Sequence, residues 1–144
     1  MKLKIRNISG DLENPKYSNP NDVGMDLRAN IPSTITLLPF RRVLIPTGIC
    51  IELPNQYQAE VRSRSGLTVK HGVFVLGGVG TIDPSYKDEI GVVLMNLGTE
   101  AFEIKRGDRV GQLVVSKFES VELVEVEELE GEDRGGGWGS TGIE

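Results

Sequence analysis

The sequence predicts an all-β domain on three observations. Apolar residues recur with period two over most of the chain, turn-forming clusters cut it into segments of strand length, and no stretch carries a sustained helical stripe. Taken in order, Leu3, Ile5 and Ile8 interleave with Lys2, Lys4 and Arg6 as a first strand. Val43 and Ile45, then Ile49 and Ile51, form two short runs broken at Pro46-Thr47-Gly48. Tyr57, Ala59 and Val61 alternate with Gln58, Glu60 and Arg62. Residues 73–76, 90–95 and 113–118 are β-branched or apolar runs. Between them stand Ser18-Asn19-Pro20-Asn21, Pro39, Pro54-Asn55, Gly77-Gly78, Asn96-Leu97-Gly98 and Arg106-Gly107-Asp108, all turn chemistry. Many short strands at this spacing fit a sandwich or barrel. Helix is expected only as a single turn after Ser65-Gly66, while residues 120–130 fit a helix and a strand about equally.

The chain's 144 residues predict one domain large enough to bury a core. Sixteen basic against twenty-one acidic residues leave a net charge of −5, which argues against a nucleic-acid binder, since that needs a basic stripe. An anionic ligand has to be gripped by a few local cations. The lone Cys50 permits no internal disulfide, as suits a reducing cytoplasm. One cysteine with one histidine, His71, does not make an ordinary zinc site. The first ten residues alternate charged and apolar side chains, unlike a signal peptide, and no apolar run approaches the roughly 20 residues of a membrane span. The expectation is a cytoplasmic domain with no membrane partner. Six of the eighteen glycines fall in residues 131–142. The chain therefore divides into a β-domain, residues 1–130, and a mobile Gly-rich tail, residues 131–144.

Four clusters carry candidate chemistry. The tail holds Arg134, Trp138, Ser140 and Thr141, a charge, a stacking plate and two hydroxyls on a flexible strip suited to closing over a ligand. Arg62-Ser63-Arg64-Ser65-Gly66 stands at a strand-to-turn corner where guanidiniums and free amides suit a polyphosphate. In Gly77-Gly78-Val79-Gly80-Thr81-Ile82-Asp83-Pro84-Ser85-Tyr86 the glycines allow a hairpin that approaches a ligand closely, and Pro84 restricts Asp83 to extended conformations. Gly107-Asp108-Arg109-Val110-Gly111-Gln112 places a polar Gln at the entry of an apolar strand. Each string alone also reads as a solvated turn.

Their order carries more. Val23-Gly24-Met25-Asp26-Leu27, Arg64-Ser65-Gly66, Gly80-Thr81-Ile82-Asp83-Pro84-Ser85-Tyr86, Gly107-Asp108-Arg109-Val110-Gly111-Gln112 and the segment from Arg134 to Gly142 resemble the five ordered motifs of the homotrimeric dUTP pyrophosphatases (dUTPases). The resemblance implies a jelly-roll-like β-clip subunit, hydrolysis of dUTP to dUMP and pyrophosphate, and a homotrimer whose sites draw on three chains. It implies that Asp83 orients and deprotonates the attacking water, and that Tyr86 packs on the deoxyribose. Gly78, Gly80, Thr81 and Ile82 correspond to the hairpin whose backbone reads uracil, with Gly91 on its return strand. Arg64, Ser65 and Gly66 match the phosphate-binding turn, and Gln112 a further phosphate contact. Arg134, Gly139, Ser140 and Thr141 match the tail that grips the outer phosphates, with Trp138 where the family usually has a stacked Phe. Mg2+ is expected mainly on substrate phosphates and water, with Asp26 near its water shell.

Ser63, Asp88 and Val23 stand where the family usually has Pro, Gly and Ala, and the tail is one residue shorter between Arg134 and Trp138. The dCTP deaminases, including bifunctional ones, share the fold and a similar Ile-Asp-Pro string. Their deaminating acid lies in the strand after the turn, and residues 90–95 contain none.

Overall fold

A computed structural model describes residues 2–133 and 135–136. Among these described residues eleven strands and one helix follow in order: β1 (Lys4–Asn7), β2 (Gly24–Arg28), β3 (Ile35–Leu37), β4 (Arg42–Pro46), β5 (Ile49–Glu52), β6 (Tyr57–Arg62), α1 (Ser65–His71), β7 (Val73–Val75), β8 (Val79–Ile82), β9 (Gly91–Asn96), β10 (Phe102–Ile104) and β11 (Arg109–Lys117). All pairings are antiparallel. They build a four-stranded sheet β2-β11-β6-β8, a three-stranded sheet β4-β9-β7, and the two-stranded pairs β1-β5 and β3-β10. This is the all-β architecture the sequence predicts. No helix among the described residues is long and apolar enough to cross a membrane.

The alternating runs explain the core. Ala59 and Val61 of β6, Leu27 of β2 and Leu113 of β11 are buried together with Ile45 of β4 and Val92 and Leu94 of β9. Full burial of the Val, Leu and Ile side chains among them contributes about 1.5–3 kcal/mol each. The buried polar side chains are paired: Asn96 Nδ2 donates to the carbonyls of Leu37 and Glu100, and Thr47 Oγ1 donates to Ile90 at 2.6 Å.

Four expectations change. The Gly77-Gly78 turn does not fold a hairpin: β7 pairs with β9 and β8 with β6, so the turn carries the chain from one sheet to the other. Both glycines have positive φ, 85° and 80°, which is what that change of direction requires. Likewise Gly91 begins β9, which pairs with β4 and β7 and is not a return strand for β8. The turn after Ser65-Gly66 grows into a seven-residue helix, stopped by Gly72 in the left-handed region at φ 68°. A Cβ on Gly72 would also lie 2.5 Å from the Gly98 nitrogen. Residues 120–130 form neither helix nor strand: Val121, Leu123, Val124 and Leu129 are exposed among crowded glutamates, whose mutual repulsion opposes a helix.

Candidate active site

β8 is the edge strand of the four-stranded sheet, so half of its N–H and C=O groups point away from β6. Against that edge lies a pocket of about 260 Å3 lined by Gly80, Thr81, Ile82, Tyr86 and Gly91, with Val61 and Ile90. Five of the residues singled out in the sequence thus meet in one place. Asp83 follows directly on β8 and is exposed to solvent. Its carbonyl accepts the Tyr86 N–H at 3.1 Å, closing a turn over Pro84. The Tyr86 hydroxyl donates to the Glu89 carbonyl at 2.7 Å, so the ring is held at both ends. The Glu89 carboxylate is engaged elsewhere, accepting the Gly48 N–H at 2.6 Å.

A second constellation is built on charge. Arg64 Nε donates to Asp26 Oδ1 at 2.8 Å, and Arg109 donates to Asp26 Oδ2 at 3.2 Å. Both oxygens of one half-buried carboxylate therefore hold guanidiniums, bonds stronger than their neutral counterparts. Gln112 Nε2 donates to the Ser63 carbonyl at 2.8 Å. Its Oε1 lies against Gly24, where an added Cβ would displace the carboxamide from this position. Ser65 and Gly66 open α1, whose first N–H groups have no intrahelical acceptor. A larger cavity, about 520 Å3, opens beside Arg64 and Arg109 and is also lined by His71 and Lys105.

The strand register relates the two constellations. Gln112 pairs with Arg62 and with Asp26, whereas Ile82 pairs with Ala59 and Gly80 with Val61. Side chains alternate faces along β6, so Asp26 and Gln112 project on the face opposite to Ala59, Val61 and Ile82. The register therefore sets Asp26 and Gln112 on one face together with Thr81, which pairs with Glu60, and Gly80 and Ile82 on the other.

Of the remaining expected residues, Gly78 shapes the turn into β8 without lining the pocket. Arg134, Trp138, Gly139, Ser140 and Thr141 lie outside the described residues. Sequence reasoning missed Arg109 as a partner of Asp26, although the Gly107-Asp108-Arg109 string held the signal. It also missed Glu89, whose two bonds are set by the fold and leave no mark in the sequence.

A family model for dUTPase matches residues 11–142. The chain belongs to the dUTPase family. A deoxyuridine 5'-triphosphate nucleotidohydrolase of Fusobacterium nucleatum is 46% identical over 143 residues, with 98% of each chain covered. One from Finegoldia magna is 48% identical over 143 residues, with 99% of each covered. Among solved structures, a mutant Staphylococcus bacteriophage 80alpha dUTPase with dUpNHpp matches with a TM-score of 0.87 at 23% identity over 99% of both chains. That likeness shows a shared dUTPase fold.

Proposed function

We propose that this dUTPase-family chain is a dUTP diphosphatase, hydrolysing dUTP to dUMP and pyrophosphate in the cytoplasm. That reaction limits uracil incorporation into DNA and supplies dUMP for thymidylate synthesis. The observation that carries the reading is the pocket along the free edge of β8, with Asp83 in the turn between two lining residues, Ile82 and Tyr86. A strand edge offers fixed donors and acceptors that complement the N3–H and O4 of uracil. Cytosine inverts both, leaving buried groups unpaired, and such mismatches discriminate strongly. The anchored Tyr86 ring packs on deoxyribose and leaves no room for a 2′-hydroxyl. Asp83 orients and deprotonates water for in-line attack, worth roughly 10²–10⁴ in rate. Arg64, the amides of Ser65 and Gly66, and Gln112 hold the phosphates. Arg134, Gly139, Ser140 and Thr141 close over them, with Trp138 stacked on uracil; residues 131–144 act as this tail and residues 1–130 as the β-domain.

Ile82 pairs with Ala59 whereas Arg64 follows Arg62, so Asp83 and Arg64 of one chain lie at opposite ends of β6, which favours a homotrimer in which the two halves of a site come from different copies. Among the described residues no three His, Cys, Asp or Glu side chains gather as a metal cage, and Asp26 has both oxygens on arginines. Those donors fit an Mg2+ carried in on the triphosphate with most of its water shell, Asp26 reaching it only through water. Bound so, Mg2+ supplies charge neutralisation on the phosphates. The dCTP deaminase reading is set aside: β9 contains no acid, and the Glu89 carboxylate is turned to Gly48.

Assays of pyrophosphate and ammonia release from dUTP, dCTP, dTTP and UTP test the proposal. Pyrophosphate is expected from dUTP, with little from the others; ammonia from dCTP would overturn it.

A further inference from the structure

Ser63 stands between Arg62 and Arg64 with both of its oxygens engaged. Its carbonyl accepts the Gln112 carboxamide and its hydroxyl accepts the Val75 N–H, each at 2.8 Å. β7 is the outer strand of its sheet, and Leu76 donates to Val93 of β9 at 2.8 Å. Adjacent N–H groups of a strand point to opposite sides, so the Val75 N–H is directed away from β9, onto the free edge. On that same edge the Val73 carbonyl accepts the Thr68 hydroxyl at 3.2 Å. Ser63 and Thr68 together close an edge that backbone pairing leaves open. The chain then runs from β7 through Gly77 and Gly78 directly into β8.

We propose that Ser63 is a positioning residue for the phosphate-binding half of the site. Its hydroxyl fixes the turn on β7, and its carbonyl then sets the reach of Gln112 and the direction of Arg64. This rests on the dUTP reading above. Among the described residues the bond to the Ser63 carbonyl is the one side-chain hydrogen bond that Gln112 makes. Val75 is buried, so removing the hydroxyl leaves a buried donor unpaired and releases the turn. The consequence falls on groups that meet phosphate and spares the pocket along β8.

The test compares Ser63→Ala and Ser63→Thr in the full chain. Inhibition by inorganic pyrophosphate reads the charged corner, and inhibition by deoxyuridine reads the pocket. Ser63→Ala should raise the KM for dUTP and the Ki of pyrophosphate about five-fold or more, the effect of one unpaired buried donor. The Ki of deoxyuridine should stay within about two-fold, and Ser63→Thr, which keeps the hydroxyl, should restore both constants. An unchanged pyrophosphate Ki, or parallel weakening of both inhibitors, would overturn the proposal. Should Ser63→Ala fail to fold, amide exchange in the unmodified protein decides: slow exchange at Val75 is expected, and exchange at the solvent rate contradicts it. Unmodified protein that releases no pyrophosphate from dUTP sinks the hydrolase reading and this inference together. Active protein indifferent to Ser63→Ala sinks the inference alone.

Discussion

The pocket along β8 and the corner around Asp26 offer a ligand different chemistry. The pocket is walled by a strand edge, a glycine-rich segment and one anchored phenol ring, with no charged side chain among its lining residues. The corner is two guanidiniums on one carboxylate, with a carboxamide pinned between Gly24 and Ser63. Fixed peptide groups discriminate among bases of similar size, because an error leaves them unpaired. Preorganised charge stabilises a polyphosphate of any base and supplies rate. Selectivity should therefore follow damage to the pocket, and affinity for phosphate should follow damage to the corner.

The sharpest break is Asp83→Asn, which should cut kcat by at least about two orders of magnitude, as loss of a general base does. Binding of dUpNHpp, followed by calorimetry, should persist; near-normal turnover would remove Asp83 from its role. Arg64→Ala comes next. It should lower kcat/KM by roughly 10²-fold, the scale of one lost electrostatic donor. The preference for dUTP over dCTP should survive, and a collapse of that preference would dissolve the distinction between the halves. Truncation after Gly131 removes Arg134, Trp138, Ser140 and Thr141. Stacking alone is worth about 1–3 kcal/mol, so nucleotide affinity should fall by that amount and turnover further, with the thermal unfolding midpoint unchanged. Trp138 is the sole tryptophan, so its emission in the full chain should change when dUpNHpp and Mg2+ bind.

The smallest effect lies outside both halves. The Arg106 guanidinium holds the Asp11 carboxyl below its usual range, and the same side chain bonds Asn30 and the Ser9 carbonyl. A depressed carboxylate stabilises the fold above its unfolded pKa, near 3.9, and that contribution is lost as pH falls through the lower folded value. Arg106→Ala should lower the unfolding midpoint slightly at pH 7, with a smaller difference at pH 3. The pair is exposed, so a large shift at pH 7 would assign Arg106 more than a surface clamp.

Much of this was legible because β structure writes a period of two. The alternation through Tyr57, Ala59 and Val61 places β6 and its buried face, and the Ile-Asp-Pro string places Asp83 at a strand end. The three-residue strands β3 and β10 were not legible, because Thr36 and Glu103 interrupt them and three residues display no period, whereas the equally short β7 is an unbroken apolar run. The false hairpin at Gly77-Gly78 has the same root: glycines announce a turn but not which sheets it joins. Within the site, residue types were readable and pairings were not. Nothing local to Asp26 says that Arg64, 38 residues on, and Arg109, 83 residues on, meet on its two oxygens.

The central claim is that the two halves of a working site belong to different copies of the chain. Co-refolding inactive Asp83→Asn with inactive Arg64→Ala tests it directly, with pyrophosphate release from dUTP as the readout. If the halves come from different subunits of a trimer, random mixing at equal amounts leaves about a quarter of the sites with both groups intact. Activity should then rise to about a quarter of that of the unmodified protein. If Asp83 and Arg64 of one chain serve the same site, no mixture contains an intact site, and activity that stays at the level of the two inactive variants would contradict the account.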